Sequence, residues 1–539
     1  MASPLRVGGV QGGRSASVSG KRTRMKARIP VLMLGLDAAE LALIRRLIDA
    51  GSMPALAELR RRGCFGALES PAATYAGAVW PSFYTGRDVP WHGIFHNKLW
   101  RPEAMRCEVP DDRWIASRPF WEALGRQGHR LCIVDVPMVL GEPRPINGLY
   151  LGGWGTHDLI SKGSQPQGLW RELERRYGAP LMPVEHFGLQ NPAGLVRLTD
   201  ALLGSTQQMQ RIACDLLARE RWDFACVVFG ATHRAGHYLW DLSQLDESAL
   251  SPDRRARLGA ALTDIHAAVD RALAAVLESV APDTLVIAFA VHGMGPNPGW
   301  GDLAPDILEA ALESVERAPR KGLLYALRRR LPFAWVRPLL ERLPLAVTDR
   351  LVSLWSSRMY DWRKTRQFPV PMDHAGYVRV SLRGREREGI VAAGEDYDSV
   401  CAAIERLLLG LRDRATARPI ASHVVRAYAQ APAAATHREL LPDLVVPWDG
   451  PRAADTRELY CDDLPAFHFA VPRRLPSGRS GNHTGRGWFI AAGPGVGPGL
   501  QLHGHDILDL APTVVRLLGA EPPAGFQGRS IPLRPRVRE

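Results

Sequence analysis

Short apolar runs that lie beside metal-binding side chains are the feature of this sequence that most restricts its fold. The runs and their neighbouring side chains are residues 31–36 with Asp37, 224–229 with His233 and His237, 284–290 with His292, and 488–492 with the preceding His483. Buried parallel strands are typically short and almost wholly hydrophobic. Ligands of open α/β sheets bind beyond the carboxyl ends of such strands. We therefore expect Asp and His side chains from distant parts of the chain to meet at one metal centre, an arrangement typical of metal-assisted hydrolysis.

Stretches with helical periodicity lie between the strand-like runs. Residues 40–62 predict two helices interrupted at Gly51-Ser52-Met53-Pro54, and residues 195–221 and 255–279 predict long helices. This alternation predicts an α/β fold with a mostly parallel central sheet and helices on both of its faces.

Composition and charge limit the classes of partner. The chain has 539 residues and is 46% hydrophobic and 23% charged, which is ordinary for a globular protein. Its formal net charge of +12 comes almost wholly from arginine, since six of its 68 basic residues are lysine. No nucleic-acid-binding motif accompanies this charge, so no nucleic-acid partner is expected. Seven scattered cysteines without a CxxC pair favour a reducing compartment, and we expect a cytoplasmic protein.

The sequence predicts several regions. We expect a disordered tail over 1–29, because this segment is rich in Gly, Ser and Arg and lacks the apolar stretch of a secretory signal. The catalytic core is predicted over 30–310 and 451–539. A helical cap inserted over 311–374 and a small α+β subdomain over 375–450 separate these two parts.

Residues 311–370 mix Arg and Lys with Leu, Trp and Pro, and we interpret them as short amphipathic helices that pack over the site. The alternative is peripheral contact with an acidic membrane surface, since basic amphipathic helices adsorb to such surfaces. Residues 376–382 alternate in polarity and indicate an exposed strand.

Each candidate metal ligand also has a structural interpretation. His233 and His237 are spaced for one helical face, but such a pair is often a surface feature. Asp37 could cap the helix that follows it. His292 could be a turn residue, and His483 lies in a Gly-containing loop.

Two further histidines are weaker candidates. His92 precedes Gly93 and is expected to be structural. The pair Asp373-His374 precedes the predicted subdomain, and nothing in the sequence requires either residue at the site.

Several motifs occur in a specific order along the chain. They are Gly35-Leu36-Asp37, Trp80-Pro81-Ser82-Phe83-Tyr84-Thr85-Gly86, His92-Gly93-Ile94, His233 to Trp240, His292-Gly293-Met294-Gly295, Gly384 to Val391, Gly481-Asn482-His483 and Asp506 to Thr513. Together they resemble the alkaline phosphatase superfamily, near its type I phosphodiesterase/nucleotide pyrophosphatase and predicted phosphomutase-like branch. The resemblance implies an alkaline-phosphatase-like three-layer sandwich and a centre of one or two divalent metal ions, usually zinc.

The resemblance also implies roles for individual residues. The residues that match metal ligands are His233, His237 and His483 for a first site, and Asp37 and His292 for a second. His233 stands where the family has an aspartate, and Val291 stands where the second site has a carboxylate. Three neutral imidazoles suit zinc and leave a fourth position for water or substrate.

The nucleophile is the largest departure from the family pattern. The position that carries a Thr, Ser or Cys nucleophile in the family corresponds to Ala76. Thr74, two residues earlier, could be presented by a shifted loop and is the candidate catalytic side chain. Otherwise, metal-activated water would attack phosphorus without a side-chain nucleophile.

Three functional hypotheses follow. The first is a zinc-dependent phosphoesterase, most simply a phosphodiesterase, that acts on a small-molecule phosphoester by metal-activated attack at phosphorus. The second is a degenerate member of the superfamily that binds a phosphorylated or sulfated ligand without turnover, which Ala76 and Val291 motivate. The third is phosphoryl or phosphoethanolamine transfer to a glycan, and Ala76 counts against it. The sequence predicts no oligomeric state.

Overall fold

A computed structural model describes residues 29–156, 162–183, 190–243, 245, 250–315, 360–370, 372, 374–475 and 477–534. Its main feature is a nine-stranded sheet with helices on both faces, so the predicted α/β fold with a mostly parallel central sheet is confirmed. The predicted tail over 1–29 lies almost entirely outside the described residues. So does most of 311–374, which carries the predicted cap and the proposed membrane contact.

The strands follow one another through the described chain. They are β1 (Val31–Leu36), β2 (Cys64–Glu69), β3 (Leu99–Arg101), β4 (Arg106–Glu108), β5 (Leu131–Val134), β6 (Gly148–Gly152), β7 (Gly163–Gln165), β8 (Phe224–Phe229), β9 (Leu285–Ala290), β10 (Gly293–Pro296), β11 (Gln367–Val370), β12 (Gly376–Val380), β13 (Leu411–Asp413), β14 (Leu444–Val446), β15 (Glu458–Cys461), β16 (His468–Ala470), β17 (Gly481–Thr484), β18 (Arg486–Ala492) and β19 (Gln501–Asp506).

Helices connect most of these strands. They are α1 (Leu41–Asp49), α2 (Pro54–Arg62), α3 (Val79–Thr85), α4 (Val89–His92), α5 (Phe120–Arg126), α6 (Leu169–Tyr177), α7 (Pro192–Ala218), α8 (Ala231–Leu239), α9 (Pro252–Glu278), α10 (Trp300–Val315), α11 (Glu395–Leu409), α12 (Ala427–Gln430) and α13 (Leu510–Leu517). Among the described residues, no helix combines the length and the apolar character needed to cross a lipid bilayer.

The strand order of the central sheet decides where the candidate ligands lie. The order is β19-β2-β18-β9-β1-β8-β5-β6-β7. Strands β9, β1, β8, β5 and β6 are parallel, so their carboxyl ends share one edge. Strand β18 runs antiparallel to β9, and its amino end therefore lies at that same edge. This reversal brings the segment before β18 to the edge where β1, β8 and β9 end.

Helices cover both faces of the sheet, and their apolar sides pack against the buried side chains of the strands. Leu56, Ile212 and Val269, from α2, α7 and α9, pack on one face. Phe83 and Phe120, from α3 and α5, pack on the other. Every residue of β1, β8 and β9 is buried, which explains their unbroken hydrophobic sequences.

The helix boundaries follow from capping and proline. Asn191 caps α7 through the backbone N–H of Gly194 (2.7 Å) and is followed by a proline at the first helical position. Ser251 caps α9 in the same way, again before a proline. Pro54 starts α2 after the predicted break, so the prediction of two helices over 40–62 is confirmed.

A third core lies between α10, α11 and the small sheets. Trp300 and Ile307 of α10 pack there with Val400 and Ile404 of α11. Strands β11, β12 and β14 form one antiparallel sheet, and β13, β15 and β16 form another. The predicted exposure of 376–382 is wrong, because every residue of β12 is buried. Arg379 is included, since its guanidinium pairs with the buried Glu386.

Candidate metal centre

Three histidines converge at the edge of the sheet. His233 and His237 occupy successive turns of α8, which follows β8 after a single glycine, and His483 lies in β17. The Nε2 atom of His233 is 3.0 Å from Nε2 of His237 and 2.8 Å from Nε2 of His483. One ligand atom from each residue lies within 4.8 Å of the others. The structure therefore brings together the three residues that the sequence assigned to one site.

Hydrogen bonds determine which nitrogen two of these rings present. His237 donates from Nδ1 to the Gly481 carbonyl (3.0 Å), and His233 donates from Nδ1 to Asp37 Oδ2 (2.8 Å). In a neutral imidazole the other nitrogen carries the lone pair. The Nε2 lone pairs of His233 and His237 therefore point into one small space, where they repel one another unless a cation or proton lies between them.

Burial favours the uncharged form of His237 and His483. Burial first, and then the guanidinium of Arg479 and the ring of His233, hold the pKa of His237 well below its usual value. Burial and the rings of His374 and His292 do the same to the pKa of His483. The Nδ1 atom of His483 is buried without a hydrogen-bond partner among the described residues. Neutral imidazoles are the form that binds metal.

Asp37 directly follows β1 and is fully buried beside the histidines. Its Oδ1 atom accepts from Trp80 Nε1 (2.9 Å) and lies 3.5 Å from His292 Nε2. Burial by itself would raise the pKa of Asp37, but the charges and hydrogen bonds of His233 and His292 outweigh it and hold that pKa well below its usual value. Asp37 is therefore an ionised carboxylate at the centre of the site, and its side chain does not cap α1, which Glu40 caps instead.

Close packing lets Trp80 reach this carboxylate. A Cβ atom at Gly35 would lie 3.2 Å from the Trp80 ring and 3.0 Å from Val228, so a side chain here would press on the indole, and glycine leaves it room beside β1. The backbone beside Asp37 is also constrained. Ala38 has a φ of 57°, and the Thr232 hydroxyl donates to the Asp37 carbonyl (2.6 Å). Backbone conformations of this kind often occur at functional sites.

His292 lies between β9 and β10, and β10 pairs with β17 so that Met294 is opposite His483. Its Nδ1 atom donates to the Gly293 carbonyl (3.0 Å), and its ring centroid is 4.8 Å from that of His483. The structure thus places all five sequence-predicted ligands together. The preceding Val291 is fully buried.

The candidate nucleophile has a less defined position. Thr74 follows a 3₁₀ turn (Pro71–Ala73) that packs against β17, and its carbonyl accepts from the Tyr377 hydroxyl (2.8 Å). No hydrogen bond joins the Thr74 side chain to the histidines among the described residues. Ala76 is buried at the start of the next 3₁₀ turn.

His374 is a neighbour of the centre that the sequence did not require. Its ring centroid is 4.7 Å from that of His483, and its Nδ1 lies 3.0 Å from Asn482 Oδ1. The same Asn482 oxygen accepts from the His483 backbone N–H (2.9 Å), so His374 donates to it. Its φ of 81° is unusual for a residue other than glycine. The Asp373-His374 pair was the available sequence signal.

His92 has a structural role, as predicted. Its Nδ1 accepts from the Ile94 backbone N–H (3.0 Å), so Nε2 carries the proton and donates to Ser82 Oγ (3.0 Å). Burial lowers the pKa of His92 to about 3. The ring is therefore a neutral connection between α3 and α4.

Comparison with known proteins assigns the family. The sequence profile described as Type I phosphodiesterase / nucleotide pyrophosphatase matches residues 31–458. The chain belongs to this family. It is therefore a member of the alkaline phosphatase superfamily, as the sequence motifs predicted, and of a family of phosphoester hydrolases that generally depend on divalent metal ions.

Two solved structures are distantly similar to this chain. Phosphonoacetate hydrolase from Sinorhizobium meliloti 1021, in complex with phosphonoformate, is 14% identical, with 92% of this chain and 96% of that chain covered and a TM-score of 0.47. Murine ectonucleotide pyrophosphatase/phosphodiesterase 5, as an inactive variant with AMP, is 12% identical, with 93% and 97% covered and a TM-score of 0.47. No curated protein matches the chain in sequence.

Proposed function

We propose that this chain is a zinc-dependent phosphodiesterase that hydrolyses a small-molecule phosphoester. The observation that carries the proposal is the convergence of three imidazole nitrogens, with Nε2 of His233 2.8 Å from that of His483 and 3.0 Å from that of His237, at a largely buried site. Nitrogens bound tetrahedrally to one zinc at about 2.0–2.1 Å are separated by roughly 3.3–3.4 Å. The Nε2 atoms are a few tenths of an ångström closer than this, so a small outward movement would suit the ion.

The donor set fits zinc in its chemistry as well. His233, His237 and His483 would hold the ion, and three imidazoles leave a fourth position for water or substrate. When bound, zinc supplies Lewis acidity toward a phosphoryl oxygen and lowers the pKa of a coordinated water. The chain itself supplies orientation, because Asp37 and the Gly481 carbonyl fix two of the three rings through their Nδ1 atoms.

The attacking group is proposed separately from the metal. Thr74 remains the candidate side chain, because its turn packs against β17 next to His483. If the Thr74 hydroxyl attacks phosphorus, one alcohol of the diester leaves and the remaining phosphate monoester group is esterified to Thr74. Thr74→Ser should retain turnover through such a covalent phosphodiester intermediate, whereas Thr74→Val should form none. Equal turnover of Thr74→Val and the wild type would assign attack to water instead.

A specific observation also favours a second function, binding without turnover. Ala76 is buried and has no nucleophilic atom, and Val291 has no ligand atom. Under this alternative, the protein retains a phosphorylated or sulfated ligand at the centre without cleaving it.

Hydrolysis of bis(para-nitrophenyl) phosphate separates the two functions. Metal-stripped protein should be inactive, and zinc should restore turnover of this diester in preference to para-nitrophenyl phosphate. His237→Ala should lower turnover by more than about 100-fold. A residue that only supports a metal ligand typically lowers activity by about 10–100-fold when it is removed, so a larger loss identifies His237 as a ligand. The matched control is His503→Ala, which changes an exposed histidine of β19. A zinc-loaded protein that turns over neither ester would favour the binding function.

We also propose a cytoplasmic location and no nucleic-acid partner. The buried Cys132 and Cys226 are free thiols, as a reducing compartment favours. Fractionation of cells that express the full chain tests the location.

A further inference from the structure

The family's second metal position is poorly provided for in this chain. Ala76 and Val291 offer no ligand atom at the positions where the resemblance expects a nucleophile and a carboxylate. Among the described residues, the two metal-ligand atoms that remain for this position are Asp37 Oδ1 and His292 Nε2, which lie 3.5 Å apart. The metal-competent group formed by the described residues consists of histidines alone.

Both oxygens of Asp37 already have partners. Oδ2 accepts from His233 Nδ1 (2.8 Å), and Oδ1 accepts from Trp80 Nε1 (2.9 Å). The indole cannot easily move away, because Trp80 is 3% exposed and its ring packs edge-on against Phe83 and Phe289. A cation on Oδ1 would have to share this oxygen with the indole hydrogen, which carries positive partial charge.

The geometry around His233 has a known physical use. A metal-binding histidine commonly donates its second ring N–H to a carboxylate, which fixes its tautomer and orientation and makes the metal-facing nitrogen more basic. Asp37 stands in this relation to His233, whose other nitrogen faces His237 and His483. Charge agrees with this role, since the ion pairs described for His233 and His292 are made by Asp37, whereas the nearby Glu40 carboxylate accepts from the Thr484 hydroxyl (3.0 Å) and from the start of α1.

We propose that the centre holds a single divalent ion on His233, His237 and His483, and that Asp37 is a positioning residue that orients His233 rather than a ligand of a second ion. This inference rests on the proposed metal centre and deepens it. It does not depend on which phosphoester is cleaved.

Titration of the metal-stripped full chain with Co²⁺ tests the proposal, because tetrahedral cobalt sites absorb visibly. The wild type should bind one equivalent of Co²⁺ per chain. The bound cobalt should show the strong visible absorption that is typical of a four-coordinate site. Asp37→Asn should still saturate at one equivalent and bind about 10–100-fold more weakly, as loss of a supporting carboxylate does. His237→Ala should show no tight site, and His503→Ala should match the wild type.

His292→Ala keeps the test informative if the buried Asp37→Asn variant does not fold. If a single ion is bound by His233, His237 and His483, His292→Ala should still bind one equivalent of Co²⁺. Its affinity for Co²⁺ should stay within about threefold of the wild type, a much smaller change than the loss expected when a residue that supports a ligand is removed. Saturation of the wild type at two equivalents, falling to one in His292→Ala, would overturn the proposal.

The outcomes separate this inference from the proposed function. One equivalent of bound Co²⁺ without phosphodiester turnover would contradict the proposed activity and support the single-ion centre. Two equivalents with turnover would support the activity and overturn the single-ion centre. No tight binding at all would overturn both.

Discussion

Glu386 is a fully buried carboxylate on which a large part of the protein's stability should depend. Its Oε1 atom accepts from Arg379 Nη2 (2.6 Å) and from Arg385 Nε (3.0 Å), and its Oε2 accepts from Trp100 Nε1 (2.9 Å). Asp443 pairs with Arg385 (2.6 Å), so this network contains two positive and two negative side chains. Neutralising Glu386 would leave one uncompensated positive charge in the core.

The expected cost follows from this count. Breaking a buried ion pair by removing one partner costs about 3–5 kcal/mol, because the remaining charge stays desolvated. Glu386→Gln should lower the free energy of unfolding by about this amount. The matched control is Glu388→Gln in the same loop, where side chains 59% and 42% exposed form the Arg387–Glu388 pair. An exposed pair contributes roughly 0–1 kcal/mol.

Urea denaturation followed by tryptophan fluorescence provides the measurement, since Trp100 bonds to Glu386 directly. Both variants should be compared with the wild type at the same pH and salt. A loss for Glu386→Gln that equals the loss for Glu388→Gln would refute the reasoning, because it would mean that the buried charge finds compensation elsewhere.

Three further predictions concern pH, backbone packing and metal. The pKa of His92 falls from about 6.5 in the unfolded chain to about 3 in the folded protein, so the unfolded chain binds more protons between these two pH values. The free energy of unfolding should therefore fall by about 1.4 kcal/mol for each pH unit below 6.5. The stability of His92→Gln should fall less than that of the wild type between pH 6.5 and 5, which urea midpoints at the two pH values would show. Gly63→Ala should destabilise the protein, because the new Cβ would lie 1.9 Å from the Ala491 carbonyl oxygen. Gly259→Ala should stabilise it by about 1 kcal/mol, because Gly259 lies inside α9 with no atom near the position of the new Cβ. Equal melting temperatures for the two variants would contradict both expectations. Zinc at 100 times its Kd should stabilise the stripped protein by about 2.7 kcal/mol, and an unchanged melting temperature after zinc addition would count against the centre.

Hydrophobic patterning predicted the central strands and long helices well, but it was misleading at β12. Arg379 lies among alternating residues of 376–382 that indicated an exposed strand, yet its side chain is completely buried. Its charge is tolerated because Glu386 lies seven residues further along the chain and folds back onto it. A pattern of single residues cannot reveal a partner brought by a turn.

The sequence alone determined the parallel α/β sheet and the candidate ligands, because buried strands require unbroken apolar runs and a polar side chain at a run's end must lie at the sheet edge. Tertiary structure alone decided that β18 runs antiparallel, which brings the preceding His483 to the edge of the sheet where His233 lies in the first turn of α8. It also decided the partners of Asp37, since the indole of Trp80 reaches that carboxylate across Gly35. Strand direction and packing across a sheet depend on contacts between residues far apart in sequence, which local patterns do not encode.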